Sequence, residues 1–152
     1  MIDVGDTAPD FELPSDHGDV VRLSELRGTR VVLFFYPKDD TPGCTKEACG
    51  FRDVMPAIVD RNATVLGVSP DPVGSHERFR DKYDLNFPLL ADVDHAVAEA
   101  YGAWGPKKMY GREYQGILRS TFVIGEDGRI EKAYRKVRPA EHADEVVAEL
   151  GG

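Results

Sequence analysis

Cys44 and Cys49 are the only two cysteines of the chain, and their type and spacing most clearly suggest chemistry. Both lie in the stretch YPKDDTPGCTKEAC, which begins at Tyr36, the last residue of a hydrophobic run. Thr41 is typical of a helix N-cap and Pro42 of the first helical position, which predicts Cys44 in the first turn of a helix. The free N–H groups and positive dipole end of that turn favour a thiolate over a thiol. The sequence therefore predicts a nucleophilic sulfur.

The spacing of the two cysteines favours a transient disulfide over a permanent one. In a regular helix, Cα atoms five residues apart are separated by roughly 8.7 Å. Bonded cysteines usually need Cα atoms within about 7 Å of each other. Cys44 and Cys49 can therefore join only if part of the helix unwinds. Taken alone, however, the C-x4-C spacing is equally typical of two unrelated buried cysteines that act as small hydrophobic residues.

Several blocks of the sequence resemble a known family. Pro37-x-x-x-Thr41-x-x-Cys44 resembles the peroxidatic-cysteine motif of peroxiredoxins. The longer match through Asp53 is similar to the peroxiredoxin Q subgroup, also called bacterioferritin comigratory protein. Further blocks of that subgroup follow in the same order, so the resemblance covers nearly the whole chain: GDTAPDF at 5–11, YGAWG at 101–105 and GILRSTF at 116–122.

The resemblance implies a thiol-dependent peroxidase of the atypical two-cysteine kind. Cys44 is then the peroxidatic residue, which attacks hydrogen peroxide or an alkyl hydroperoxide and becomes a sulfenic acid. Cys49 is the implied resolving residue, which condenses with it to an intramolecular disulfide. A thioredoxin-like dithiol protein is the implied reductant, and no cofactor is expected. Asp39 and Asp40 depart from the subgroup, whose members often carry less charge there, and this acidic pair is expected to disfavour the thiolate slightly.

Four further residues are assigned to the candidate site. The Thr41 hydroxyl can hydrogen-bond the sulfur or a peroxide oxygen, although an N-cap role alone is the simpler interpretation of the local sequence. The N–H groups of the helix start, at Gly43 and beyond, can bind the peroxide, and Pro37 can supply a rigid apolar wall. Arg119 is chosen from the resemblance, because a guanidinium near the sulfur would stabilise its charge and hold the substrate. By pattern alone, Arg119 suits a solvated strand end.

Other polar residues are interpreted as structural. Glu47 could orient an arginine, but complementing the helix dipole is the default interpretation. Arg52 is expected in an exposed ion pair with Asp53 or Glu47. The four histidines are expected at the surface, and their spacing does not suit a metal site: His17, His76, His95 and His142.

Composition predicts a single domain over residues 1–152. The chain has 152 residues, 41% of them hydrophobic, which suffices for one core. The net charge of −8 argues against a nucleic-acid partner. The N-terminus lacks the basic and apolar segments of a signal peptide and no apolar run approaches a membrane span, so a cytoplasmic location without a membrane partner is expected. The pattern shows no apolar surface stripe, which slightly favours a monomer over a dimer.

The order of predicted elements suits a thioredoxin-like α/β fold, a central mixed sheet flanked by helices, with an added N-terminal hairpin around 15–19. A buried strand over 30–36 precedes the cysteine helix, so Cys44 lies at the C-terminal end of a strand, where open α/β sheets place their sites. The remaining predicted elements follow from periodicity and turn signals: helices over 42–60, 74–83, from about 94 and through 143–150, and strands over 63–68, 87–90, 119–124 and 130–136, the last two joined by a hairpin turn.

Two other functions stay open from the sequence. A peroxide-responsive redox sensor or binding module could use the same disulfide switch without sustained turnover. A thiol–disulfide oxidoreductase that acts on proteins typically has a C-x-x-C motif, which this chain lacks.

Overall fold

The computed structural model describes residues 2–151, which form nine strands and four α-helices. The strands are β1 (Glu12–Pro14), β2 (Val20–Arg22), β3 (Arg30–Phe35), β4 (Ala63–Ser69), β5 (Leu89–Ala91), β6 (Trp104–Met109), β7 (Arg112–Ile117), β8 (Ser120–Ile124) and β9 (Ile130–Tyr134). The helices are α1 (Pro42–Asp60), α2 (Val73–Tyr83), α3 (Ala96–Ala100) and α4 (His142–Gly151). No helix within this range is long and apolar enough to cross a membrane.

Five strands form a mixed central sheet in the order β5-β4-β3-β8-β9. Strand β4 lies parallel to β3 and to β5, whereas β8 runs antiparallel to β3 and to β9. The predicted N-terminal hairpin is formed by β1 and β2, which pair antiparallel. The predicted hairpin near the C-terminus is formed by β8 and β9. The mixed sheet flanked by helices is therefore confirmed.

Strand β3 is buried on both faces, as its continuous apolar sequence predicts. Successive side chains of a strand point to opposite faces, so its residues divide between two cores. Val32 and Phe34 join the core beneath α1 and α4, which also contains Cys44. Leu33 and Phe35 join the second core on the opposite face. The C-terminal end of β3 is thus held between two cores, and it delivers the loop that leads into α1.

Helix α1 has the predicted bounds, and its buried face carries the cysteine into the first core. The buried residues recur at helical spacing: Cys44, Glu47, Ala48, Phe51, Met55 and Ile58. Pro56 lies inside the helix and has no N–H to give to the carbonyl of Arg52. Asn86 supplies that bond instead, because its Nδ2 donates to the Arg52 carbonyl at 3.2 Å. The Arg52 guanidinium in turn donates to the Tyr83 carbonyl at 2.7 Å, which fastens the middle of α1 to the C-terminal end of α2.

One hairpin was not predicted from the sequence. Strands β6 and β7 pair antiparallel from Trp104 opposite Ile117 to Met109 opposite Arg112. Their turn holds Tyr110 at φ 53° and Gly111 at φ 78°, the left-handed backbone that a tight two-residue hairpin turn requires. Most of the hairpin's side chains are exposed, so the alternation of buried and exposed residues that predicts a strand is missing.

Two of the four histidines are buried, so the prediction that all four lie at the surface is wrong. His76 is 0% and His142 is 1% exposed. The Nδ1 atom of His142 lies 3.0 Å from Glu145 Oε1, and its Nε2 atom lies 2.7 Å from Thr121 Oγ1. Burial lowers the pKa of His142, because desolvation disfavours the charged ring. A polar ring is stable inside the protein only where distant residues supply its partners, which the local sequence does not reveal.

The core leaves no room at Gly67, and this predicts the effect of one substitution. A Cβ atom at Gly67 would lie 2.9 Å from Phe34 Cζ and 3.0 Å from Leu89 Cδ2, both fully buried. Gly67→Ala should therefore lower the free energy of unfolding by about 1–3 kcal/mol, measured by urea denaturation. Gly74→Ala is the control, because the nearest atom there, Arg78 NH1, lies at 3.6 Å. Equal midpoints for the two variants would contradict the prediction.

Candidate active site

The cysteine helix begins as the sequence predicts. Thr41 has the extended backbone of an N-cap residue, φ −103° and ψ 156°, and Pro42 is the first helical residue. The Thr41 hydroxyl, however, donates to the Lys38 carbonyl at 2.8 Å and does not cap a helix N–H. The first N–H groups of a helix have no partner within the helix, and no described side chain caps them here. Cys44 thus lies in a turn whose N–H groups are available to a ligand.

Arg119 lies in contact with Cys44. In the sheet, Ser120 pairs with Phe35, so the residue before β8 is placed beside the end of β3 and the start of α1. Arg119 NH2 donates to Cys44 Sγ at 3.1 Å. Gly43 eases this approach, because a Cβ atom there would lie 3.3 Å from Arg119 NH2, closer than an ordinary contact. The structure therefore brings together a sulfur atom, a guanidinium and the N-terminus of a helix.

Glu47 holds the other side of the same guanidinium. Arg119 NH1 donates to Glu47 Oε1 at 2.7 Å, and the carboxylate is 0% exposed. The default interpretation of Glu47 as a partner of the helix dipole is therefore wrong, because the side chain points into the core and orients an arginine. The sequence signal that could have revealed this is its position on the buried face of α1, next to Ala48 and three residues after Cys44.

Burial dominates the electrostatics of the Glu47 carboxyl. Desolvation raises its pKa from 4.5 to about 7, although the charge and hydrogen bond of Arg119 oppose that rise. Its Oε2 atom is buried without a hydrogen-bond partner among residues 2–151, which adds to the cost of the charged form. Burial also disfavours the charge of Arg119, but Glu47 and Cys44 together raise its pKa above the ordinary value. The guanidinium consequently stays charged beside the sulfur.

A second cation approaches this site from the β6–β7 hairpin. Lys107 of β6 is half-buried, and burial followed by the positive charge of Arg119 lowers its pKa. The sulfur of Cys44 opposes this decrease in the pKa of Lys107 without reversing it. Lys107 of the unpredicted hairpin is therefore electrostatically coupled to Arg119 and Cys44, a coupling that its sequence pattern did not indicate.

Cys49 lies on the same helix as Cys44 and is half-buried. Both residues are free thiols, and α1 is continuous through them. Pro37 and Gly43 are also half-buried beside the start of the helix, and their contact with a substrate stays a prediction. The expected exposed ion pair of Arg52 with Asp53 is present, with Nε donating to Oδ1 at 2.9 Å.

The acidic pair before the helix is engaged by residues of α2. Asp39 Oδ2 lies 2.7 Å from His76 Nδ1. Asp40 accepts hydrogen bonds from Lys82 Nζ and Tyr83 OH, both at 2.7 Å, and these bonds lower the pKa of Asp40. Each carboxylate therefore faces donors on α2, which reduces the negative potential that the pair directs at the sulfur.

Comparisons with known proteins agree with this arrangement. The AhpC/TSA family matches residues 4–133. The chain is 48% identical to the peroxiredoxin Bcp of Bacillus subtilis over 149 residues, covering 98% of this chain and 95% of that protein. It is 45% identical to the peroxiredoxin Bcp of Escherichia coli K12 over 143 residues, covering 94% and 92%.

Solved structures show the same fold. A mutant of Xylella fastidiosa PrxQ superposes with a TM-score of 0.94 at 39% identity, covering 99% of this chain and 96% of that one. Peroxiredoxin Q of Xanthomonas campestris superposes with a TM-score of 0.91 at 39% identity and the same coverage. These likenesses confirm the thioredoxin-like α/β fold of the peroxiredoxins.

The buried carboxyl of Glu47 predicts a specific dependence of stability on pH. The folded chain binds the Glu47 proton with a pKa of about 7, whereas the ordinary value is 4.5. Protonation of Glu47 therefore favours folding, and this contribution, complete below pH 4.5, is lost as the pH rises through about 7. Urea denaturation at several pH values should show that Glu47→Gln removes this decrease in the free energy of unfolding with rising pH.

The matched control is Glu77→Gln, which removes an exposed negative charge from α2 and so accounts for the change in net charge. A stability difference between wild type and Glu47→Gln that stays constant from pH 4.5 to pH 8 would show that Glu47 does not titrate in this range.

Proposed function

The chain belongs to the AhpC/TSA family and, within it, to the peroxiredoxin Q or Bcp subgroup, and from this premise we propose that Cys44 is the nucleophile of its thiol-dependent peroxidase activity. The observation that carries this proposal is the 3.1 Å contact between Arg119 NH2 and Cys44 Sγ in the first turn of α1. A thiolate is the reactive form of cysteine, and both the guanidinium and the helix N-terminus stabilise it.

In the first step, the Cys44 thiolate attacks the terminal oxygen of a hydroperoxide. The S–O bond forms as the O–O bond breaks, so the sulfur is oxidised to a sulfenic acid and the peroxide is reduced. The leaving oxygen takes a proton and departs as water or an alcohol. Negative charge develops on that oxygen, and the Arg119 guanidinium and the N–H groups at Gly43 and Cys44 would stabilise it.

The hydrogen bond of Thr41 suggests how its hydroxyl takes part. Because its hydrogen is donated to the Lys38 carbonyl at 2.8 Å, the Thr41 oxygen is left to accept a hydrogen bond. The O–H of a hydroperoxide is a suitable donor, and this contact would orient the terminal oxygen toward the sulfur. Pro37, half-buried after β3, would form an apolar wall for the rest of the substrate.

Cys49 is the proposed resolving residue. Its thiol attacks the Cys44 sulfenic acid, the S–S bond forms, and the sulfenic oxygen leaves as water. The helix that joins the two cysteines is intact, so its first turns must unwind before this step. A thioredoxin-like dithiol protein then reduces the disulfide, becoming oxidised itself while both thiols of the chain are restored.

The proposed substrates are hydrogen peroxide and alkyl hydroperoxides. A bacterioferritin comigratory protein of Xanthomonas campestris, 38% identical to this chain with a TM-score of 0.91, is described as having alkyl peroxide reduction activity. Family membership does not favour the sensor alternative, which would react about once without turnover. A single domain over 1–152, a monomeric state and a cytoplasmic location stay predictions.

Single-cysteine variants test the proposed roles directly. With thioredoxin and its reductase, Cys44→Ser should abolish peroxide-dependent NADPH oxidation, because the nucleophile is gone. Cys49→Ser should still consume peroxide once per chain but lose sustained turnover, and intact mass should show sulfenic and then sulfinic acid in place of the disulfide. Retained turnover in Cys44→Ser would overturn the assignment of the nucleophile, and retained turnover in Cys49→Ser that of the resolving thiol.

Arg119→Lys tests whether the geometry of the guanidinium matters beyond its charge. A lysine keeps the charge but loses the planar fork that contacts Glu47 and Cys44 together. We expect kcat/KM for hydrogen peroxide to fall by about 10- to 100-fold. Arg112→Lys, on the exposed face of β7, is the matched control and should keep the wild-type rate. Equal rates in the two variants would contradict the proposed role of Arg119.

A further inference from the structure

The loop from the end of β3 to the start of α1 is held by a buried pair, Asp39 and His76. His76 of α2 is 0% exposed, and the Asp39 side chain is 4% exposed. Their closest atoms, His76 Nδ1 and Asp39 Oδ2, are 2.7 Å apart. Asp39 lies five residues before Cys44, so this pair fixes the chain directly ahead of the reactive helix.

His76 links the loop before the reactive helix to a strand of the central sheet. Its Nδ1 faces the Asp39 carboxyl, and its Nε2 lies 2.9 Å from the Leu90 carbonyl of β5. The carboxyl of Asp39 also accepts bonds from Tyr36 OH at 2.6 Å and Ser75 Oγ at 2.8 Å. Asp39 is therefore held by three side chains, and His76 ties it to β5.

Two further contacts fasten the same loop. The Asp39 N–H donates to Asp71 Oδ2 at 2.8 Å, and that oxygen also accepts from Ser69 Oγ at 2.7 Å. On the exposed side, Asp40 is bound to Lys82 and Tyr83. The loop is thus attached to α2 and to the segment after β4, and its buried anchor is the pair of Asp39 and His76.

The same side chains resemble a metal site, but their donor atoms are already used. Asp39, Asp71 and His76 bring one ligand atom each within 4.8 Å of one another. Both oxygens of Asp39, both nitrogens of His76 and one oxygen of Asp71 already take part in hydrogen bonds. A cation would have to break several of these bonds, so the cluster is better explained as a clamp.

We propose that His76 is a positioning residue, which acts through Asp39 to keep the loop before Cys44 docked and thereby controls how readily α1 unwinds after oxidation. This inference rests on the proposed function. While the loop is docked, the first turn keeps its contact with Arg119 and reacts with peroxide. When the loop is released, the first turn can unwind and Cys49 can reach the sulfenic acid. The clamp is the Asp39–His76 pair with its hydrogen bonds. Its strength therefore determines what fraction of the sulfenic acid forms the disulfide and what fraction is attacked by a second peroxide.

The experiment measures this division in the full chain with thioredoxin and its reductase. Sulfinic acid formed per turnover is determined by intact mass at increasing hydrogen peroxide, and disulfide formation is followed by rapid mixing. His76→Leu should form the disulfide faster and give about tenfold less sulfinic acid, the factor expected when a hydrogen bond to a charged group is lost. His76→Asn should restore most of the wild-type value, because its amide N–H replaces the Nδ1 donor.

Arg80→Ala is the matched control on the same helix. Arg80 donates to the Asp16 carbonyl at 2.7 Å and, among residues 2–151, makes no hydrogen bond to the loop before Cys44, so its loss weakens α2 without touching the clamp. It should leave the sulfinic acid yield unchanged. If His76→Leu fails to fold, Ser75→Ala and Tyr36→Phe each remove one donor to Asp39, and both should lower the yield.

The outcomes separate this inference from the function on which it rests. A wild-type chain that turns over peroxide, with the same sulfinic acid yield in every clamp variant, overturns the inference alone. An equal decrease in Arg80→Ala also overturns it, because general weakening of α2 would then suffice. A wild-type chain that consumes no peroxide overturns the proposed function itself.

Discussion

A guanidinium shared between a sulfur and a buried carboxylate is the interaction on which the site depends. Arg119 lies 3.1 Å from Cys44 Sγ and 2.7 Å from Glu47 Oε1, and neither of these partners is exposed to water by more than 1%. Removing Arg119 would leave the Glu47 carboxyl buried without its counterpart, which would raise the pKa of Glu47 further and favour its neutral form. The sheet register that pairs Ser120 with Phe35 serves this interaction, since it sets Arg119 against the first turn of α1.

The same residues that build the site oppose its turnover. Cys44, Ala48 and Phe51 lie in the first core, so unwinding the start of α1 exposes apolar surface. The proposed resolution by Cys49 would require that unwinding, whereas the proposed attack of Cys44 on peroxide would require the folded turn. The folded first turn of α1 must therefore be more stable than the unwound one, but only by a small free-energy difference. The bonds of the preceding loop to α2 contribute to this balance without taking part in the chemistry.

Local sequence signals predicted most of the elements but not the buried polar partners. Thr41 and Pro42 mark the start of α1, and the apolar runs mark β3 and β4. These elements could be predicted because a helix start and a buried strand are each encoded by residues that are adjacent in the sequence. Glu47 and Arg119 are 72 residues apart, and Asp39 and His76 are 37 apart, so their pairing arises only in the tertiary structure. The family resemblance identified Arg119, which its position alone did not. The exposed β6–β7 hairpin escaped prediction because it lacks a buried face.

Pro56 removes one bond from the hydrogen-bond ladder of α1, and it lies between an N-terminal block that carries both cysteines and a C-terminal block. The carbonyl of Arg52 receives its bond from Asn86 rather than from within the helix, so the ladder is interrupted there and tied to a neighbouring segment. Melting that starts at Pro42 meets this boundary before it reaches the C-terminal block. In the proposed cycle, the surviving block would serve as a template, so that the helix re-forms by elongation and avoids the slow nucleation that a fully melted helix needs.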